Sequence, residues 1–245
     1  WIMMAGLATV VFGAAGMIAA TRLERVVGYA VMASSGTVLA IVGLGNPAAL
    51  GGALVYMVAS TLASGALFLI AEILTRGEDN AADAKDAFFD DEYTDPFADD
   101  NVEEVGRVMP RSLAVLGAAF VVAVLVVASM PPLSGFVGKL SIFINLLSGD
   151  GASQASTWWV IGILTFSSFA ALIALVRFGI DGFWNRDENS VIAVRSPEFV
   201  AIGGLVIACI WLTVGGGAAL GFADHTADWL ARPADYVAAV LKGAN

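Results

Sequence analysis

The stretch MPPLSGFVGKLSIF, residues 130–143, constrains the fold more than any other part of this chain. Eighteen apolar, uncharged residues at 112–129 precede it, long enough to cross a bilayer. Pro131 and Pro132 then arrive together, followed by Ser134 and Gly135, and a second apolar run carries on over 136–147. Proline removes a backbone donor and clashes with the preceding turn, so 112–147 reads as a broken transmembrane helix. Non-helical backbone at membrane depth is tolerated only where protein covers it or water reaches it. The second run also carries Lys139, flanked on both sides by membrane-type sequence. A charge at the bilayer centre costs at least ~2.5–3.5 kcal/mol on insertion scales, which marks Lys139 as a candidate functional residue. A broken helix next to a buried lysine points to an ion or proton pathway.

The rest of the composition agrees with a membrane setting. The 245 residues are 58% hydrophobic and 14% charged, with a mean hydropathy of +0.82, far too little polar surface for a soluble domain. One cysteine, Cys209, and one histidine, His225, leave no disulfide framework, multi-Cys zinc site or His-based metal cluster. No cofactor motif is visible either. The net charge of −10 is local: twelve of the 22 acids fall within 78–104, so no nucleic-acid partner is expected. The chain opens at Trp1 inside an apolar run and reads as a piece of a longer protein.

Hydropathy gives six spans: 1–20, 26–45, 48–74, the broken segment 112–147, 158–180 and 199–222. They are rich in Gly, Ala and Ser, which suits close helix packing in lipid. The expected fold is an all-α integral membrane bundle, one transmembrane domain over 1–245, with its long insertion at 76–111. That insertion reads as a solvated acidic connector, or else as an antenna for cations or a docking strip for a basic partner. Nine Lys/Arg flank one side of the spans, from Arg22 and Arg25 to Arg195; only Arg232 and Lys242 flank the other. The positive-inside rule then puts the acidic loop in the cytoplasm and the C-terminus outside. The tail, 223–245, carries Trp229 and Tyr236 and reads as an interfacial anchor on the lipid bilayer.

Other polar residues inside the spans have two readings each. Ser60 and Ser64 share a face of the third span, with Thr61 beside them. They serve either helix–helix hydrogen bonding or a hydrated proton wire aimed at Lys139. Glu72, near the end of that span, either reaches headgroup water or admits protons. Lys139 itself is either a structural charge or a proton carrier, since an ammonium taken out of water gives up its proton more readily. The break beside it frees backbone carbonyls and helix ends that hold water or ions.

The wording LERVVGYAVMASSG, then YMVASTLASGALFLIAEIL, then MPPLSGFVGK resembles the C-terminal half of the antiporter-like membrane subunits. That family includes proton-pumping complex I subunits and the large subunits of Mrp-type (Pha or Mnh) cation/proton antiporters. The STL…ALFL wording and the acidic insertion look most like the Mrp D subunits. The resemblance implies a fourteen-helix fold with two inverted repeats, of which the present spans are the last six. It implies that Lys139 relays protons towards the outside. Relatives often carry a histidine near Ala59-Ser60, which this chain lacks. The first-half glutamate, lysines and broken helix of the family fall outside these residues.

On this reading the chain is one subunit of a multisubunit monovalent cation (Na+)/proton antiporter in a bacterial inner membrane, not an enzyme with its own active site. Lys139 carries the proton, Ser60, Thr61, Ser64 and Glu72 line its path, and Pro131, Pro132, Ser134 and Gly135 shape the break. Its partners are other antiporter subunits, protons and monovalent cations. The alternatives are a proton-pumping subunit of an NADH:quinone oxidoreductase, and a membrane scaffold without transport.

Overall fold

A computed structural model describes residues 1–89, 111–148, 154–183, 195–232 and 241. Among the described residues there are eight helices and no strand: α1 (Ile2–Ala19), α2 (Leu23–Leu44), α3 (Pro47–Phe89), α4 (Arg111–Val127), α5 (Ser134–Ser148), α6 (Gln154–Phe183), α7 (Ser196–Val214) and α8 (Gly216–Leu230). Five are long and apolar enough to cross a membrane: α1, α2, α3 as far as Gly77, α6 from Ser156, and α7. Helices α4 and α5 are apolar but shorter, with 17 and 15 residues.

Local chemistry sets the boundaries. Helix α2 stops at Gly45, whose φ of 70° is left-handed and suits a residue without a Cβ. The next residue, Asn46, accepts the Ala48 N–H on Oδ1 at 3.1 Å, and Pro47 begins α3 where its missing donor is not needed. At the other end α3 overshoots the expected 48–74. It stays helical to Phe89, because AADAKDAFF is alanine-rich and contains no breaker. The acidic insertion therefore starts as helix; its residues 90–110 lie outside the described residues, as do 233–240 and 242–245 of the expected tail. The apolar run 199–222 is not one helix but two, interrupted at Gly215, and the first eight residues of the expected tail belong to α8.

Helix α3 is the hub, packing against α2, α4, α5, α7 and α8, while α1 and α2 form a tight pair. In that pair a Cβ on Gly36 would come 2.9 Å from the Gly6 carbonyl, so the two backbones touch. The helix ends fall at two faces. One, the basic face, holds Arg177, whose Nη2 donates to Ala20 O at 2.7 Å, and Arg76, whose Nη1 donates to Glu198 Oε1 at 2.8 Å. Glu198 also accepts the Arg195 N–H at 3.1 Å, which satisfies a donor at the start of α7.

The buried apolar residues separate into two clusters. One, towards the basic face, includes Met17, Val26, Leu67, Ile70, Phe120 and Leu175. The other, towards the opposite face, includes Val10, Ile41, Ala53, Ile142 and Leu164. Along the helices, Ser34 and Thr37 of α2, Lys139 of α5 and Ser167 of α6 fall between members of the two clusters, while buried Ser60 and Ser64 of α3 lie among members of the first. The core is thus two largely apolar plugs, the one on the basic side holding two serines, with a polar layer in between.

Candidate functional site: the broken helix and its lysine

The break follows from what proline lacks. In a continuous helix the N–H groups of residues 131 and 132 would bond the carbonyls of Val127 and Ala128. Pro131 and Pro132 have no N–H, so those two carbonyls lose their helical donors. The chain closes α4 with a last loose turn instead. Ala128 N–H reaches Val124 O at 2.8 Å, Ser129 N–H reaches Val126 O at 3.1 Å, and Met130 N–H reaches Leu125 O at 2.9 Å. Ser129 takes a left-handed φ of 55°, uncommon for a residue with a side chain, and the Pro131–Pro132 bond is cis.

Two contacts hold the restarted helix in place. Gly135 lies against the Val126 carbonyl, where a Cβ would collide, so the first turn of α5 folds directly onto the last turn of α4. The Ser134 N–H, one of the donors every helix start leaves open, donates to Thr213 Oγ1 of α7 at 3.0 Å. Thr213 in turn donates to Cys209 O at 2.8 Å. Among the described residues, the hydroxyls of Ser129 and Ser134 are buried with no hydrogen-bond partner.

Lys139 sits just over one turn into α5 and is only 4% exposed. Its ammonium donates to Ser168 Oγ of α6 at 2.7 Å, and Ser168 donates to Leu164 O at 3.1 Å. It also lies over the face of Tyr56 of α3, 4.9 Å from the ring centroid. The Tyr56 hydroxyl interacts with Thr37 of α2, whose own hydroxyl donates to Ala33 O at 2.8 Å. Glycines bring these elements together. A Cβ on Gly138 would come 2.8 Å from Tyr56 N, and one on Gly52 would come 2.9 Å from Gly138 O. The side chains that contact the Lys139 ammonium, Ser168 and Tyr56, are neutral.

Beside the break lies a cavity of about 190 Å³, lined by Ser129, Pro131, Lys139, Thr165 and Ser168 and by the rings of Phe136, Phe143 and Phe169. Its volume is several times a water's share of the liquid, about 30 Å³, and its lining is mostly apolar, with the hydroxyl of Ser129 among its few polar groups. The arrangement puts an ammonium, hydroxyls and room for water in the polar layer, with apolar plugs on both sides.

The sequence-derived candidates divide by position. Pro131, Pro132, Ser134 and Gly135 form the break beside Lys139. Ser60 and Ser64 are buried in α3; Ser60, one turn on from Tyr56, donates to Met57 O at 3.1 Å. Thr61 donates to the same carbonyl at 2.7 Å but faces out of the bundle. Glu72 is exposed at the basic face, 3.6 Å from Arg76 and roughly 24 Å along α3 from Tyr56. Sequence reasoning did not single out Tyr56, Thr37, Ser129, Ser168 or Thr213. A signal existed for Ser168, since TFSS at 165–168 interrupts an otherwise apolar span. None existed for Thr213, whose role depends on where α7 ends. No group of three or more His, Cys, Asp or Glu gathers for a metal among the described residues.

Comparison with known proteins places this arrangement. Residues 1–173 match the family described as NADH:quinone oxidoreductase/Mrp antiporter, transmembrane. The chain is 39% identical over 98% of its length to the D subunit of a probable K(+)/H(+) antiporter of Rhizobium meliloti (strain 1021), of which it covers 46%. It is 28% identical over 96% of its length to the D subunit of the Na(+)/H(+) antiporter of Bacillus subtilis (strain 168), of which it covers 43%. It therefore spans a little under half the length of these relatives. A chain of the Mrp complex from Dietzia sp. DQ12-45-1b superposes with a TM-score of 0.69 at 17% identity, over 98% of this chain and 48% of that one, a likeness of fold.

Proposed function

The chain belongs to the NADH:quinone oxidoreductase/Mrp antiporter transmembrane family, and on that premise we propose that it is part of the D subunit of a multisubunit monovalent cation/proton antiporter. Its spans are the last six of a fourteen-helix fold, with α4 and α5 together making the fourth crossing and α7 with α8 the sixth. Lys139 is the proton carrier; Ser60 and Ser64 lie on its path, with Thr61 and Glu72 on the same helix leading to the basic face. The cation is Na+ or K+, the two named in the relatives above. The basic face is cytoplasmic, by the charge bias of the loops. The protein sits in a bacterial inner membrane among other antiporter subunits.

One observation carries this reading: Lys139 is buried at mid-span with only neutral partners, beside a break and a cavity. A lysine kept for structure is expected to be paired to a carboxylate, because an unpaired buried charge is costly. Neutral, exchangeable partners suit a group that gains and loses a proton. The test is cation/proton antiport in everted membrane vesicles from cells expressing the full reading frame in its assembled complex. Lys139→Ala abolishes antiport with protein levels unchanged on immunoblot. Lys139→Arg fails as well, because guanidinium does not deprotonate. Full transport by Lys139→Ala would end the proposal; loss of the protein itself would favour a scaffold. Orientation has its own check. A cysteine placed at Ala98 resists impermeant reagents in intact cells if the acidic loop is cytoplasmic, and reacts quickly if it is not.

A further inference from the structure

We propose that Tyr56 is a positioning residue for Lys139, its ring face taking the place of the missing counter-ion and thereby setting the pH at which the site exchanges protons. The proposal rests on the proton-carrier reading of Lys139. Lys139 Nζ lies 4.9 Å from the Tyr56 ring centroid, within cation–π range, and both residues are buried. Such an attraction acts on the ammonium and not on the neutral amine, so it favours the protonated state. Its strength rises where water is excluded.

The surroundings make Tyr56 the dominant such influence. From α6 the contact is the neutral hydroxyl of Ser168. Helix α4 carries no ionisable side chain beyond Arg111 at its start, and α7 offers Glu198 at the basic face and Cys209. Helix α8 carries Asp224, His225 and Asp228, of which all three are exposed. From α3, Tyr56 is the ionisable group beside Lys139; Glu72 is distant and bonded to Arg76.

The ring is also held firmly. Gly138, adjacent to Lys139, packs against Tyr56 so closely that a Cβ there would come 2.8 Å from its backbone nitrogen. On the far side its hydroxyl interacts with Thr37. The close approach of α3 and α5 therefore holds the Tyr56 ring within reach of the Lys139 side chain.

The experiment compares the pH profile of antiport in vesicles for wild type, Tyr56→Leu, Tyr56→Phe and Lys139→Ala, each in the assembled complex with its level checked. Tyr56→Leu removes the ring face and moves the midpoint of the profile towards acid by about half to one and a half pH units. Tyr56→Phe keeps the ring and so keeps the midpoint, although its rate falls with the lost contact to Thr37. An unmoved midpoint in Tyr56→Leu overturns the proposal, and so does an equal shift in Tyr56→Phe. Should Tyr56→Leu fail to assemble, Tyr56→Trp replaces it: a larger ring face moves the midpoint towards alkaline pH, and an acid or absent shift overturns the idea. Lys139→Ala separates the two readings. If it transports normally, the carrier itself is wrong; if it is inactive while the midpoints stand still, only the role of Tyr56 is wrong.

Discussion

Among the described residues, two interruptions of helix lie side by side and are of opposite character. Between α4 and α5 the chain leaves helical geometry for six residues, 128–133, and two carbonyls lose their donors. Between α7 and α8 it does so for one residue, Gly215, whose N–H still bonds Trp211 O at 2.8 Å and whose carbonyl still receives Ala219 N–H at 3.0 Å. Gly215 has φ −85° and ψ 14°, open to any residue. The first interruption is compelled, because proline has no proton to give; the second is merely permitted, because glycine does not resist bending. A membrane helix that bends keeps its backbone satisfied, while one that is chemically deprived of donors must place polar groups in the interior. Unpartnered hydroxyls and the lysine gather at the first kind and not at the second. The two meet at Thr213, near the end of α7, which accepts the open N–H of Ser134.

This contrast can be tested at graded cost. The largest effect is expected from Gly135→Val, which drives a branched side chain into the Val126 carbonyl and unseats α5 from α4; assembled protein on native gels should fall to a small fraction of wild type. Replacing Pro131 and Pro132 together by alanine returns two N–H groups to Val127 and Ala128. The protein should then persist in the membrane while antiport falls at least tenfold; wild-type transport would mean that the released carbonyls do not matter. Thr213→Val keeps the shape but leaves Ser134 N–H without its acceptor, a loss of about 1–3 kcal/mol readable as lowered thermal stability in detergent. Thr213→Ser restores the acceptor and should recover most of it. The smallest change is Gly215→Ala, within about 1 kcal/mol of wild type, because the helix propensity gained is set against a Cβ 3.2 Å from the Trp211 carbonyl. A severe defect there would show that the second interruption is as specialised as the first.

The legibility of the site in the sequence follows the same division. Pro131, Pro132 and Lys139 were readable because each is chemically out of place in an apolar run. That Ser60 and Ser64 share one face of α3 was readable from their spacing, and the packing buries that face. The cradle around Lys139 was not readable, because Tyr56, Ser168 and Thr37 come from three helices whose approach depends on Gly52 and Gly138. A hydropathy pass also could not see Gly215, since the interruption leaves the apolar run intact. Nor could it see α3 continuing to Phe89, where helix propensity outlasts hydrophobicity.

The polar layer between the two apolar plugs has an electrical meaning. Tyr56 lies nine residues past the start of α3, about 14 Å along the axis, a distance about half the thickness of a hydrocarbon core of about 30 Å. On the proton-carrier proposal, the membrane potential is expected to fall mainly across the plugs on either side, where polarisable groups and water are scarce. A proton reaching Lys139 from one face then crosses roughly half the field, and it crosses the rest on leaving. At about 2.3 kcal/mol per charge per 100 mV for the full crossing, each half-step carries about 1.2 kcal/mol. If Lys139 is the carrier, loading and unloading of the lysine each sense voltage, and a change in membrane potential biases its occupancy as surely as a change in pH on either side.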